Sequence, residues 1–162
     1  MKQIIIALAL MLGVSASAQS RFDNNDLSLR TKSATTVVKN FVKGSNQTEA
    51  EGYAALKIDR LKYAVQLTDD QKTKLKDLFV KQYSDIAKAA SDYRTAKSDE
   101  AKKAFIKLVL KQEQDTRALF SENQLVDYLS YWNSDYSNLE YTDFRQFCMP
   151  DHIYYGYLKQ LQ

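Results

Sequence analysis

Residues 67–71, Leu-Thr-Asp-Asp-Gln, decide the predicted fold, because one helical pattern stops before them and another starts after them. Thr68 and Gln71 have the spacing of a capping box, in which the Thr hydroxyl accepts from the Gln backbone N–H and the Gln side chain accepts from the Thr N–H. Asp69 and Asp70 fall in the first turn, where carboxylates stabilise the positive end of the helix dipole. We therefore predict that Thr68 is an N-cap.

Residues 120–124, Phe-Ser-Glu-Asn-Gln, repeat these offsets of an apolar residue, a hydroxyl and a Gln. Phe120 and Leu125 flank this second cap at the spacing of a hydrophobic staple. The first copy has Lys72 in the place of Leu125 and lacks the staple. Any helical protein can carry two capping boxes, so the motif residues are first of all candidate helix starts: Leu67, Thr68, Gln71, Phe120, Ser121 and Gln124.

The pair of motifs carries a family resemblance. Residues 67–75, LTDDQKTKL, resemble the LTxxQ motif of the Spy/CpxP-like periplasmic proteins, in which a second LTxxQ follows a long helical hairpin. The second copy is degenerate here, with Phe120 for Leu and Ser121 for Thr. The resemblance covers residues 48–132. It implies a thin, curved helical dimer that holds unfolding clients in the periplasm without ATP, as a chaperone or envelope-stress protein.

The first 18 residues have the pattern of a cleaved signal peptide. Lys2 supplies a positive start, residues 4–14 are apolar, and residues 16–18, Ala-Ser-Ala, form a cleavage site before Gln19. The apolar run is too short to span a bilayer, and no later stretch is apolar enough to do so. We expect export to the periplasm, with secretion as the alternative.

Composition narrows the class of protein. The chain has 23 basic and 20 acidic residues, a balance that does not favour nucleic-acid binding, which needs a clustered basic face. Its single Cys cannot form an internal disulfide, so an exported chain of this size depends on its core. Four Gly and one Pro indicate a helical composition.

Apolar spacing predicts five helical segments, at residues 34–42, 48–66, 68–95, 99–119 and 122–132, and the apolar residues from Ile153 to Leu161 allow a last short helix after Pro150. The two longest are joined by a short turn and must run antiparallel. The predicted fold is all-α: a long antiparallel helical hairpin with flanking helices, Spy/CpxP-like, plus an aromatic-rich C-terminal tail. The predicted organisation is a signal peptide (1–18), a mobile polar leader and short helix (19–47), the helical domain (48–132) and a Tyr-rich segment packing on the bundle (133–162).

The chain offers little chemistry. Cys148 and His152 stand four residues apart, but a zinc site needs about four ligands. The two could also act as a nucleophile and its base, but Pro150 between them disfavours the continuous helix that would place both on one face. Glu113 and Asp115 point to different faces of one helix and are predicted to be solvated. We therefore predict no metal, no cofactor and no enzymatic activity.

The functional hypothesis is an open apolar face on the hairpin. Both long helices are apolar over a wider arc than a two-helix contact requires, which is typical of a protein-binding surface. The candidate client-binding residues are Val80, Tyr83, Ala87, Ile106 and Leu110, edged by Lys81, Lys88, Lys107 and Lys111.

Either client proteins or other parts of this chain could cover the extra apolar arc of the two long helices, and the sequence leaves both alternatives open. Unfolded or partly folded proteins would bind there if the face is exposed, with a homodimer as one assembly that the resemblance allows. If instead the helix at residues 48–66 and the tail cover the arc, the chain is a structural or interaction protein that docks a specific envelope partner through its Tyr-rich tail.

Overall fold

A computed structural model describes residues 25–131 and 145–162. Within these ranges every regular element is a helix and no strand occurs, so the all-α prediction is confirmed. The predicted signal peptide and residues 132–144 of the predicted tail lie outside the described residues.

We number the helices α1 to α6 in chain order. Helix α1 covers residues 25–42 and contains a π-helical stretch, Ser33–Val37, before its last α-helical turn, Val38–Val42. The others are α2 (Glu49–Ala64), α3 (Asp69–Ala96), α4 (Asp99–Arg117), α5 (Glu122–Tyr131) and α6 (Asp151–Gln160). Across the described ranges, no helix combines the length and the apolar character that a membrane crossing requires.

Helices α3 and α4 form the long hairpin of the molecule. With 28 and 19 residues, they extend about 42 Å and about 28 Å at 1.5 Å per residue. Lys97 ends α3 in the left-handed conformation at φ 51°, and the Ser98 hydroxyl caps α4 by accepting from the N–H of Ala101. Since only these two residues separate the helices, they pack as antiparallel neighbours.

The core lies on the face that α3 turns towards its neighbours. The buried residues of α3 recur at three- and four-residue intervals, which places them on one side of the helix. They are Leu75, Phe79, Tyr83, Ile86 and Ala90. They belong to one continuous core cluster with Ala54 and Leu61 of α2 and with Phe105, Ile106 and Val109 of α4.

The prediction of a mobile leader over residues 19–32 is wrong from residue 25 onward, where the description begins. Residues 25–32 are helical, and Asp26, Leu27 and Arg30 are buried. The polar composition was misleading because Asp26 and Arg30 form an ion pair at 2.6 Å inside the protein and do not face water.

A close contact between α1 and α2 depends on Gly52. A Cβ at this position would lie 2.2 Å from Cγ1 of Val42, far inside van der Waals contact. Gly44 has φ +81° and lies just past the end of α1, as expected for a residue that ends a helix. The turn that follows leads to Thr48, which caps α2 with a capping box of its own.

The C-terminal segment, residues 145–162, packs into the same core. Phe147, Cys148 and Met149 are buried before Pro150, which is the N-cap residue of α6. Ile153 and Tyr157 then bury one side of α6, and α6 contacts α4. This segment therefore adds apolar residues to the bundle from the far end of the chain.

Candidate functional site

Both sequence motifs form the reciprocal hydrogen bonds expected of them. The Thr68 hydroxyl accepts from the N–H of Gln71 at 3.2 Å, and Gln71 Oε1 accepts from the N–H of Thr68 at 3.1 Å. The Ser121 hydroxyl accepts from the N–H of Gln124 at 3.3 Å, and Gln124 Oε1 accepts from the N–H of Ser121 at 2.9 Å. Helices α3 and α5 therefore start in the same way.

The two motifs also meet. Gln71 Nε2 donates to Gln124 Oε1 at 2.8 Å, and Gln124 Nε2 donates to Gln71 Oε1 at 2.9 Å. Each amide gives its other hydrogen to a backbone carbonyl two residues before the opposite cap, namely Leu119 and Gln66, both at 2.7 Å. We call this pseudo-symmetric arrangement of Gln71 and Gln124 the glutamine pair.

An open cleft of about 430 Å3 lies beside the glutamine pair, lined by both caps and by Asp70, Lys74 and Leu119. Lys74 and Asp70 form an ion pair at 2.7 Å, with both side chains more than half exposed. The cap hydroxyls and both amides already have backbone or side-chain partners. The geometry therefore joins two helix starts and offers no nucleophile with a base beside it.

The predicted open client face is wrong. Tyr83, Ile106 and Leu110 are buried, with exposed fractions of 6%, 0% and 3%, and Val80 and Ala87 are partly buried against the core. The flanking lysines 81, 88, 107 and 111 are exposed, but they do not edge an open apolar surface.

The cover over Tyr83 comes from α1 and α2. Its hydroxyl lies 3.1 Å from the carbonyl oxygen of Ala34 and 2.8 Å from a carboxylate oxygen of Glu49, and its ring centre is 5.2 Å from that of Tyr53. Helix α3 is apolar over a wide arc because it has neighbours on more than one side, not because it binds clients there.

A buried polar centre, which sequence reasoning did not find, holds the C-terminal segment in place. Three cations from three different helices donate to three consecutive backbone carbonyls. Lys57 Nζ donates to the carbonyl of Phe147. Arg30 Nη2 donates to the carbonyl of Cys148 at 2.7 Å, and Arg117 Nη2 to that of Met149 at 3.0 Å.

Carboxylates neutralise two of these cations. Asp26 binds Arg30 at 2.6 Å and also accepts from the Tyr157 hydroxyl at 2.6 Å. Burial by itself would lower the pKa of Arg30, but Asp26, together with Tyr157 and Glu113, raises it above its usual value, so Arg30 stays charged. Arg117 binds Glu113 and Asp151, each at 2.7 Å.

Lys57 differs from the two arginines. It is 4% exposed, and none of the ion pairs within the described residues involves it. Its ammonium group lies 5.1 Å from the centre of the Phe79 ring. Burial lowers the pKa of Lys57, and Glu113 counteracts part of that effect.

The prediction that Glu113 is solvated is wrong. Glu113 is 2% exposed, because it accepts from Arg117 and from the Tyr128 hydroxyl inside the protein. Asp115 is only partly buried and binds Lys111 at 2.9 Å on the outer side of α4. The two carboxylates therefore do point to different faces, as their spacing predicts.

Cys148 and His152 lie in different surroundings. Cys148 is fully buried, and burial raises the pKa of its thiol to about 12. His152 is exposed. Among the residues that the structure describes, no group of three His, Cys, Asp or Glu side chains could hold a metal ion.

The described surface carries a pair of aromatic residues on α6. Tyr155 is 62% exposed, and its ring meets that of Tyr154 edge to face at 5.4 Å between centres. The Arg117 guanidinium lies 4.6 Å from the centre of the Tyr154 ring, and Gln114 Nε2 donates to the Tyr154 hydroxyl at 3.0 Å. We call Tyr154 and Tyr155 the tyrosine pair. Contacts with Arg117 and Gln114 hold the Tyr154 side chain in place.

A comparison of the chain with protein-family models, curated proteins and solved structures finds no match.

Proposed function

We propose that this protein is an exported, non-enzymatic interaction protein that docks one specific envelope partner through the tyrosine pair on α6. Export rests on the signal-peptide pattern of residues 1–18. The observation that carries the docking function is a large aromatic side chain, Tyr155, that is 62% exposed and packs edge to face against the ring of Tyr154.

The chemistry of this surface fits a protein partner. Tyrosine and arginine are enriched among the residues that dominate protein–protein binding, because they combine a large apolar area with hydrogen-bonding groups. Arg117 stacks on Tyr154 and binds Asp151 at the start of α6, so the surface loses little side-chain freedom on binding.

The burial of the candidate client-binding residues favours docking over the holding of unfolded clients on the hairpin. A protein that holds many different clients needs an exposed adhesive face. The apolar residues of the hairpin that were candidates for that face, Tyr83, Ile106 and Leu110, are buried.

The glutamine pair supports a second candidate function, an ATP-independent chaperone or envelope-stress protein of the Spy/CpxP type. Two LTxxQ-like copies that are far apart in sequence bind each other in space, as copies of one functional motif would. In this case clients would use the outer surface of the bundle, since the inner arc is closed.

An aggregation assay distinguishes the two functions. For the docking function, the mature protein at equimolar amounts leaves the aggregation of an unrelated unfolding protein unchanged in the absence of ATP. Slowed aggregation would overturn docking in favour of the chaperone. We expect a photo-crosslinker at Tyr155 to give one discrete adduct in the envelope.

The matched control places the crosslinker at Tyr63 of α2, which is 56% exposed. It should give no such adduct, and a broad smear from both positions would contradict docking. Tyr155→Ser should weaken binding of the captured partner by about thirtyfold, the effect of losing a hot spot of about 2 kcal/mol.

A further inference from the structure

A small cavity of about 10 Å3 lies inside the buried polar centre. Lys57 of α2 and Gln112 and Glu113 of α4 contribute to its wall, together with Arg30 and Met149. The cavity therefore lies where α1, α2, α3, α4 and the C-terminal segment come together.

Three polar groups in this wall have unused hydrogen-bonding capacity. Gln112 is 2% exposed, and its Nε2 has no partner among the described residues, while its Oε1 accepts from the Tyr53 hydroxyl at 2.8 Å. Lys57 has three N–H donors, of which one is used by Phe147. Arg117 and Tyr128 both bind Oε1 of Glu113, and a carboxylate with its two oxygens can accept further hydrogen bonds.

We propose that this cavity binds a single internal water molecule. The water accepts from Gln112 Nε2 and from Lys57 Nζ, and it donates to the Glu113 carboxylate. Internal waters typically make about three such bonds to buried groups that the chain itself leaves unsatisfied. The cavity volume agrees with this occupant, since about 10–15 Å3 is enough for one water.

Water fits better than a small anion. Glu113 lies in the same wall, and its carboxylate repels an anion, whereas a water can donate to it. A halide anion also has no hydrogen to give, so it could not donate to the Glu113 carboxylate as a water can. The bound water completes the solvation of the Lys57 ammonium, which has no carboxylate partner of its own among the described residues.

The site is independent of the proposed function, because it concerns how α2 and α4 are joined beneath the C-terminal segment. The test uses the mature full-length protein in solution. Oxygen-17 relaxation dispersion should detect a water with a long residence time. Water–protein NOE and ROE spectra should place that water beside the side-chain amide of Gln112. Absence of such a contact in the folded wild-type protein overturns the proposal.

Variants identify the occupant. Gln112→Met keeps the length of the side chain and removes the donor, so the long-lived water should be lost. Gln82→Met is the matched control, because Gln82 lies on α3 outside this cavity and donates to Asp115 at 2.7 Å. The water should persist in that variant, and its loss there would contradict the site. If Gln112→Met does not fold, the wild-type spectra decide. Anomalous density for bromide in the cavity of crystals soaked in bromide would identify an anion and overturn the proposal.

Discussion

At the scale of single residues, the glutamine pair shows how one side chain can serve two purposes. Gln71 closes the capping box of its own helix through Oε1 and binds the opposite motif through Nε2. Gln124 does the same from the other side. Loss of either amide leaves the other without its partner, so the two contributions to stability must be coupled.

A double-mutant cycle tests this coupling. Gln71→Ala and Gln124→Ala should each lower the free energy of unfolding by about 1–3 kcal/mol, because each leaves hydrogen-bonding groups of the junction unpaired. The double variant should lose less than the sum of the two, by about 0.5–3 kcal/mol. Urea denaturation measures all three values, and strict additivity would show that the amides act only within their own caps.

Removing the hydroxyl of either N-cap should lower the stability of the protein. Thr68→Ala and Ser121→Ala should each cost about 1 kcal/mol of stability, the usual effect of removing an N-cap hydroxyl, with the fold intact. Thr48→Ala, which removes the same type of cap from α2 away from the glutamine pair, is the control and should have a similar effect. Thermal unfolding followed by circular dichroism is sufficient, and unchanged stability in both motif variants would argue for a binding role of these hydroxyls.

At the scale of helices, two contacts determine how the elements are arranged. Helix α1 approaches α2 at Gly52, where no side chain intervenes. Helix α4 holds the C-terminal segment through Arg117, which binds Glu113, Asp151 and the carbonyl of Met149. Each contact depends on one residue, Gly52 or Arg117, and helix propensity does not predict the role of either.

The α1–α2 contact predicts that replacing Gly52 by Ala lowers the stability of the protein, although a change from Gly to Ala within a helix is usually stabilising. Replacing a helical Gly by Ala usually stabilises by about 1 kcal/mol. Gly52→Ala should instead destabilise by about 1–3 kcal/mol, because the added methyl overlaps Val42. Val42→Ala in the Gly52→Ala background should restore part of the loss, as chemical denaturation can measure. A stabilised Gly52→Ala would show that the two helices separate easily.

The contacts of Arg117 predict that its replacement strongly lowers the stability of the protein. Arg117→Leu leaves Glu113 charged and buried without its cation, an arrangement that costs about 3–5 kcal/mol. Arg94→Leu is the control, since the exposed Arg94 binds only the hydroxyls of Thr35 and Thr36 among the described residues. It should change stability by no more than about 0.5 kcal/mol. Hydrogen exchange should show α6 losing protection in the first variant, and equal effects of both changes would contradict a pinning role.

At the scale of the whole molecule, the buried polar centre connects α1, α2, α4 and the C-terminal segment. Its cations bind backbone carbonyls, so they recognise the path of residues 147–149 independently of the side chains there. Burial also shifts the pKa values of ionisable side chains in the core. It raises the pKa of Cys148 to about 12 and raises the pKa values of Tyr53, Tyr128 and Tyr157.

Alkaline pH should therefore lower the stability of the folded protein. A group whose pKa is higher in the folded state keeps its proton there while the unfolded chain loses it, so stability is full below the unfolded pKa and falls as pH rises above it. For Cys148 the decline runs from pH 9.0 to about 12, and the tyrosines join above pH 10.0. Lys57, whose pKa burial lowers, acts in the opposite direction but is a single group.

Cys148→Ala should make the pH dependence shallower between pH 9.0 and 12 by up to about 1.4 kcal/mol per pH unit. Denaturation curves at a series of pH values measure this slope. An unchanged slope would mean that the thiol titrates in the folded protein as it does in the unfolded chain.

The sequence by itself determined the local features of this protein. Capping boxes and helical apolar spacing depend on residues within about four positions of one another, so the start of α3 at Thr68 and the all-α class could be predicted. The α3–α4 turn at Lys97 and Ser98 was predictable for the same reason.

Tertiary structure alone decided which apolar and polar side chains are buried. An apolar arc wider than one contact is the same pattern whether clients or other helices cover it, and for Tyr83 the cover is α1 and α2. Arg30 lies in the segment predicted as a polar leader, and no sequence pattern singles out Lys57. Their partners are the backbone carbonyls of residues 148 and 147, which are common to every sequence and lie far along the chain. Contacts made through the backbone leave no pattern in the sequence, and only the folded chain shows them.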